Sequence, residues 1–123
     1  SFEKVHSMLD VALREKYPDR KLICVFKPHT ISRTKILFDD FVKTLSFADQ
    51  VFVTPIYVTR EENDGSVSNR TLAEAVSKFA PAQPVETVEE LKLELSKLSG
   101  EKICVVLMGA GDIYEWTKEI ARD

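Results

Sequence analysis

The sequence lacks most of the features by which common enzyme classes are recognised. Only four glycines occur among its 123 residues, and none falls in a G-x-x-x-x-G-K-[ST] arrangement, so the chain has no phosphate-binding loop for ATP. It has two cysteines and two histidines, with no nucleophile elbow, metal-ligand cluster or cysteine–histidine pairing. These absences exclude a complete catalytic apparatus in this chain alone.

Long apolar runs and an excess of positive charge are also missing. The longest apolar stretches have the length of a strand, well short of the roughly 20 residues that cross a membrane. No signal-peptide core stands near Ser1. Charges of both signs are spread along the chain, the formal net charge is −3, and no RNA-binding motif is present. We therefore expect neither a membrane nor a nucleic acid as a partner.

The size and the cysteines favour one cytoplasmic domain. A chain of 123 residues with 44% apolar residues is long enough for one core and too short for two, so residues 1–123 are predicted to form a single domain. Cys24 and Cys104 each stand in the middle of an apolar run. We predict buried free thiols, which fit a reducing cytoplasm.

Strand and helix patterns alternate along the chain. Because such alternation is typical of parallel sheets, the fold class is predicted as α/β, a Rossmann-like, mostly parallel sheet with helices on both faces. The most apolar strand, Lys102–Met108, is expected to be central. The chain opens directly in a helix, so we expect a missing first strand and a cut from a longer protein. The other predicted strands are Lys21–Phe26, Gln50–Thr54 and a short one around Pro84–Glu86.

Helix boundaries are predicted from capping residues and periodicity. One helix is expected from about Thr34. Ser68 is expected to cap the next helix, which ends at Pro81 and buries Phe79. In the third, which runs to about Leu98, Thr87 and Glu90 form the pattern of a reciprocal capping box.

The strongest candidate site is the basic turn after the first strand. Lys27, His29 and Arg33 crowd this turn, and ligands of parallel sheets bind at the carboxyl ends of the strands. Arg33 can hold a carboxylate through two hydrogen bonds, and His29 can add another bond or a charge. The alternative is a solvated turn in which Arg33 and Lys35 pair with Asp39 and Asp40.

Two further loops are expected at the same edge of the sheet. Tyr57 and Glu61 follow the second predicted strand, where they can contact a substrate or a neighbouring domain, or belong to an ordinary solvated loop. Gly109, Gly111 and Asp112 follow the last strand. Two glycines permit close approach to a ligand, but the full dinucleotide fingerprint is absent, and Asp112 can simply cap a helix.

The stretch VFKPHTISRTKILFDDFVKTLSFAD resembles the start of the C-terminal domain of the UDP-N-acetylmuramate–L-alanine ligases, a branch of the Mur ligase family. Members of that branch typically read VFQPHRYSRT, followed by a helix with FDDF. The strand VFVTPIY, the helix SNRTLAEAV and the strand VVLMGAGDI match in the same order. The resemblance covers nearly the whole chain, and PHxxSRT with FDDF is a specific combination.

The resemblance implies a function that these residues alone do not establish. In that family, ATP phosphorylates the muramate carboxylate, and L-alanine attacks the resulting acyl phosphate. It implies a three-domain ligase whose N-terminal and central domains bind UDP-N-acetylmuramate and ATP with Mg²⁺, and whose C-terminal domain binds L-alanine. By the same resemblance His29 and Arg33 hold the alanine carboxylate, and the isolated domain is expected to be inactive.

Two departures from the family pattern bear on specificity. Thr30 stands where the family usually has arginine, and Ile31 where it has an aromatic residue. The charge of Lys27, in place of the usual glutamine, can substitute for the lost arginine. Two alternatives stay open, namely a sister ligase that adds another amino acid, and a stand-alone module that binds a small carboxylate or a nucleotide without catalysis.

Overall fold

A computed structural model describes residues 14–28, 30–56, 67–98 and 100–109 of the chain. Strands and helices alternate there as the sequence predicts. Most of the predicted opening helix lies outside the described residues. The part that is described, residues 14–16, is helical. The elements in chain order are β1 (Lys21–Lys27), α1 (Ile31–Ile36), α2 (Phe38–Leu45), β2 (Gln50–Val53), α3 (Asn69–Val76), β3 (Ala82–Pro84), α4 (Val88–Ser96) and β4 (Ile103–Gly109).

The four strands form one parallel sheet in the order β3-β2-β1-β4. β1 and β2 are the two inner strands. β1 pairs with β2 from Ile23 to Phe26 and with β4 along its whole length, and β2 also pairs with β3. The prediction that the last strand is central is wrong for the described sheet, since β4 is its outer strand and Ile103 to Met108 are only half-buried. A continuous apolar run indicates a strand covered on its faces, and it does not distinguish a central strand from an outer one.

Helices cover both faces of the sheet, which confirms the predicted fold class. α2 and α3 pack on one face, where the core includes Phe26, Leu45 and Leu72. α4 packs on the other face over a core that includes Val25, Phe52 and Leu91. The sheet is buried between these layers because successive strand residues point to opposite faces.

The helix after β1 begins earlier than predicted and is broken. Thr30 is the N-cap of α1, so the helix starts at Ile31 instead of Thr34. At Leu37 the backbone leaves helical geometry, with φ −101° and ψ 11°, and α2 follows at once. The predicted start misses this cap because a cap is a single side-chain hydrogen bond, which apolar periodicity does not record.

The cap at Ser68 is confirmed, but the predicted face of that helix is partly wrong. Ser68 and Thr71 form a reciprocal capping box at the start of α3. The helix ends at Val76, and the ring of Phe79 is 70% exposed in the turn that follows. Phe79 continues the apolar periodicity of α3 in the sequence, but it lies three residues past the last helical residue, so the periodicity no longer applies to it.

The predicted capping box of α4 is only half formed. Thr87 Oγ1 accepts a hydrogen bond from the Glu90 N–H at 3.1 Å. Glu90, however, accepts from the N–H of Glu86 at 3.0 Å instead of from that of Thr87. The helix ends at Ser96, two residues before the predicted end. The short strand before it is Ala82–Pro84 instead of Pro84–Glu86, and its proline is tolerated because β3 is an edge strand.

Neither cysteine forms a disulfide, as predicted. Cys24 is buried as predicted, but the prediction of burial is wrong for Cys104, which is half-buried because β4 is the outer strand of the described sheet. Burial raises the pKa of the Cys24 thiol to about 12, so this thiol stays protonated near neutral pH and is a poor nucleophile. Among the described residues, no helix is long and apolar enough to cross a membrane.

Candidate functional site

The carboxyl ends of β1, β2 and β4 meet at one edge of the sheet. Lys27 and Gly109 are paired residues at the ends of β1 and β4. Thr54 continues β2 to the same level, because its N–H donates to the Phe26 carbonyl at 2.9 Å. The register therefore brings the three loops that the sequence singles out to the same edge, where ligands of parallel sheets bind.

Arg33 is exposed on α1, which begins four residues after β1 ends at this edge. Its guanidinium makes no hydrogen bond or ion pair with any residue in the described ranges, so the predicted alternative is not formed there for Arg33 itself. Both aspartates are themselves exposed. The side chain is thus available for an incoming anion, and a guanidinium suits a carboxylate because it can donate two parallel hydrogen bonds.

Thr30 shapes the turn that carries Arg33. Its Oγ1 accepts from the backbone N–H of Arg33 at 3.3 Å, and its carbonyl accepts from the Thr34 hydroxyl at 2.7 Å. These bonds begin the helix at Ile31. His29, the other residue expected to bind a carboxylate, lies outside the described residues.

Lys27 is a buried cation at the end of β1. Its side chain is 7% exposed, and Nζ donates to the carbonyl of Pro55 at 3.0 Å. The ammonium therefore links the end of β1 to the segment that follows β2. Burying a charged group is costly unless hydrogen bonds compensate it, so this contact offsets part of the cost of burying the ammonium group.

Gly109 ends β4 in a conformation that side chains rarely adopt. Its φ is 135°, and a Cβ built there would lie 2.2 Å from the carbonyl oxygen of Lys27. Glycine is needed at this position because the two strand ends approach closely. Gly111 and Asp112 of the same loop lie outside the described residues, as do Tyr57 and Glu61.

A small apolar cluster beneath this edge was not predicted. Ile31, Ile56 and Val67 are buried together, with Phe38 packed against them, and we call these four residues the edge cluster. It joins the start of α1 to both described ends of the connection between β2 and α3. Only the scattered apolar positions next to Pro55 and Ser68 hint at it in the sequence.

Asn69 holds the ends of β2 and β3 together and was also missed. Its buried amide donates to the Val53 carbonyl at 3.3 Å, to the Val85 carbonyl at 3.4 Å and to Glu86 at 3.0 Å. From the sequence, an asparagine directly after a capping serine is interpreted as part of the helix start. Its contacts with the ends of β2 and β3 therefore cannot be predicted.

The described edge offers no metal centre. No three histidine, cysteine or acidic side chains among the described residues lie close enough to hold a metal ion. What the edge presents is a basic side chain, a capped helix and a glycine at close approach, an arrangement suited to binding an anion.

Comparison with known proteins gives the class of this chain. The family model described as "Mur ligase, glutamate ligase domain" matches residues 3–111. The chain therefore belongs to the Mur ligase family, which confirms the resemblance drawn from the PHTISRT turn.

The names of its relatives are more specific. The chain is 40% identical over 115 residues to the UDP-N-acetylmuramate–L-alanine ligase of Levilactobacillus brevis, covering 94% of this chain and 24% of that protein. It is 38% identical to the enzyme of that name from Ligilactobacillus salivarius, covering 92% and 24%, and 39% identical to that of Alkaliphilus metalliredigens, covering 90% and 24%. The chain thus spans about a quarter of the length of these relatives.

Proposed function

We propose that this chain is the amino-acid-binding domain of a three-domain ligase that joins L-alanine to UDP-N-acetylmuramate in peptidoglycan biosynthesis. The observation that carries the proposal is the exposed Arg33, placed by the capped α1 at the carboxyl edge of the sheet. The names of the relatives support the reaction. A cytoplasmic location is part of the proposal, and the two free thiols favour it.

In the proposed reaction, ATP transfers its terminal phosphoryl group to the muramate carboxylate, giving an acyl phosphate and ADP. The amine of alanine then attacks the acyl carbon, an amide bond forms, and inorganic phosphate leaves. The central domain of the longer protein is proposed to hold most of ATP and Mg²⁺. This chain contributes by positioning alanine, so the domain alone is expected to be inactive.

Arg33 and His29 are proposed to bind the alanine carboxylate. The guanidinium is exposed and makes no hydrogen bond or ion pair with another described residue, so it can donate two parallel hydrogen bonds to a carboxylate. Holding the carboxylate leaves the amine of alanine free and aimed at the acyl carbon, which is catalysis by orientation. Lys27 and Thr30 are further candidates here, Lys27 through its charge and Thr30 through the shape of the turn.

The remaining candidates are proposed to contact the nucleotide or the neighbouring domain. Gly109 exposes backbone at the end of β4, where a side chain would collide with Lys27. Tyr57, Glu61, Gly111 and Asp112 belong to the connections that leave the same edge. Closure of the domains over this edge would exclude water, which protects an acyl phosphate from hydrolysis.

The test is alanine-dependent phosphate release by the full-length protein and its Arg33→Ala variant. Losing a charge-assisted contact should raise the KM for alanine roughly ten- to a hundredfold. Arg20→Ala is the matched control, because Arg20 precedes β1 at the opposite edge of the sheet and donates to the Ile103 carbonyl. Unchanged alanine kinetics in Arg33→Ala would remove Arg33 from the site.

A sister ligase that adds another amino acid is the second candidate, and Thr30 favours it because the family's arginine is absent there. The same assay with a panel of amino acids separates the two. Release that depends on alanine supports the first proposal, and release that depends on a different amino acid supports the second.

A further inference from the structure

The segment Thr54–Ile56, directly after β2, is held from the α4 side of the sheet by Lys27. In β1, Ile23 and Val25 belong to the core under α4, and strand residues two apart point to the same face. Lys27 continues this alternation. Its Nζ reaches the Pro55 carbonyl at 3.0 Å, so the contact fixes the segment from that side.

The same segment is held from the other side by the edge cluster. Ile56 is 8% exposed and packs with Ile31 and Val67. Phe38 packs against this cluster and also against the core under α2 and α3. Three consecutive residues are therefore fixed on both faces of the sheet, although they belong to no strand or helix.

α1 depends on these contacts for its position. It has only six residues, and isolated helices of that length are unstable in water. Its buried residues are Ile31 and Thr34, and Ile31 is the one that packs in the edge cluster. Arg33 lies two residues further, and its guanidinium has no hydrogen-bond or ion-pair partner among the described residues. Its place therefore depends on how Ile31 is held, together with the cap at Thr30.

We propose that Ile56, Val67 and Lys27 are positioning residues for Arg33. They hold the Thr54–Ile56 segment against the start of α1, and so place the guanidinium where the carboxylate of the amino-acid substrate binds. None of the three needs to touch the substrate. The inference rests on the proposed function and adds to it the residues that set the geometry of the site.

The experiment compares two identical substitutions in the full-length protein, Ile56→Val and Ile23→Val. Both remove one methylene, and Ile23 is completely buried in the middle of β1. Ile56→Val should raise the KM for alanine about threefold with little change in kcat, because small displacements of a binding group weaken binding. Ile23→Val should lower the melting temperature at least as much and leave this KM unchanged. Equal KM values in both variants would overturn the proposal.

A second variant tests Lys27. Lys27→Met keeps an unbranched side chain, one heavy atom shorter, and removes the donor to Pro55, and the KM for alanine should rise about tenfold. Because Lys27 and Ile56 act on the same segment, the double variant should raise KM by less than the product of the single effects. If the two increases in KM multiply in full, Lys27 acts independently of Ile56, as a direct ligand would, and its positioning role is contradicted.

Arg33→Ala separates failure of this inference from failure of the proposed function. If Arg33→Ala raises the KM for alanine and the Ile56 and Lys27 variants do not, Arg33 binds the substrate and the positioning proposal alone is wrong. If Arg33→Ala has no effect either, the proposed function of the site is wrong.

Discussion

The interior of the sheet and its carboxyl edge are built differently. In the interior, Ile23, Val25 and Phe52 are almost completely buried and each packs within a large apolar core. At the edge, Lys27 and Thr30 act through a few individual hydrogen bonds, and Gly109 through one close approach. In the interior, many small apolar contacts together stabilise the fold. At the edge, each contact fixes one feature of the proposed site.

This difference separates stability from function. A change in the interior removes buried apolar surface, whose contribution to folding is large and not directional. A change at the edge removes a directional contact whose contribution to folding is small. Substitutions in the interior should therefore lower stability and leave substrate binding normal. Substitutions at the edge should weaken substrate binding and lower stability only modestly.

The largest expected effect on stability is that of Leu91→Ala. Leu91 is completely buried in the core under α4, so its truncation should lower the free energy of unfolding by about 2–5 kcal/mol. Leu93→Ala is the matched control on the same helix, since Leu93 is 60% exposed, and it should change the free energy by no more than about 0.5 kcal/mol. Urea denaturation measures both. Similar losses would show that α4 does not cover the sheet as described.

Gly109→Ala should lower the free energy of unfolding by less than Leu91→Ala does, and it should also disturb the carboxyl edge of the sheet. The added Cβ would meet the Lys27 carbonyl at 2.2 Å, and φ is 135°. We expect a loss of about 1–3 kcal/mol from the strained backbone, together with a raised KM for alanine because Lys27 must shift. Gly100→Ala is the control, as nothing lies within 4 Å of a Cβ there. Equal melting temperatures for the two variants would contradict the close approach of β1 and β4 at Gly109.

The architecture was predictable because it depends on patterns that are local in the sequence. Apolar runs such as Lys21–Phe26 and caps such as Ser68 depend on their own neighbourhoods, so the alternation of strands and helices could be found. The outer position of β4 and the exposure of Phe79 could not. Strand order depends on which partners are available, and the last turn of a helix depends on where its hydrogen bonds stop.

The candidate site was predictable only in part for the same reason. The PHTISRT turn carries its basic residues in one stretch, and the family resemblance assigns them a role. The contact between Lys27 and Pro55 joins residues 28 positions apart, and the edge cluster draws on three separate segments. No local pattern records such contacts, because they exist only once the strands are in register.

The smallest expected effects on stability are those of substitutions at the two threonine caps, and comparing them separates stability from substrate binding most sharply. Thr30 caps α1 at the edge and Thr87 caps α4, with cap distances of 3.3 and 3.1 Å. Thr87→Ala should cost about 1 kcal/mol in the free energy of unfolding, and Thr30→Ala no more than that, since its bond is longer and its helix shorter. Only Thr30→Ala should raise the KM for alanine, by about threefold, because only α1 carries Arg33. If Thr87→Ala raised that KM equally, the effect would follow from lost stability, and the separation between interior and edge would not hold.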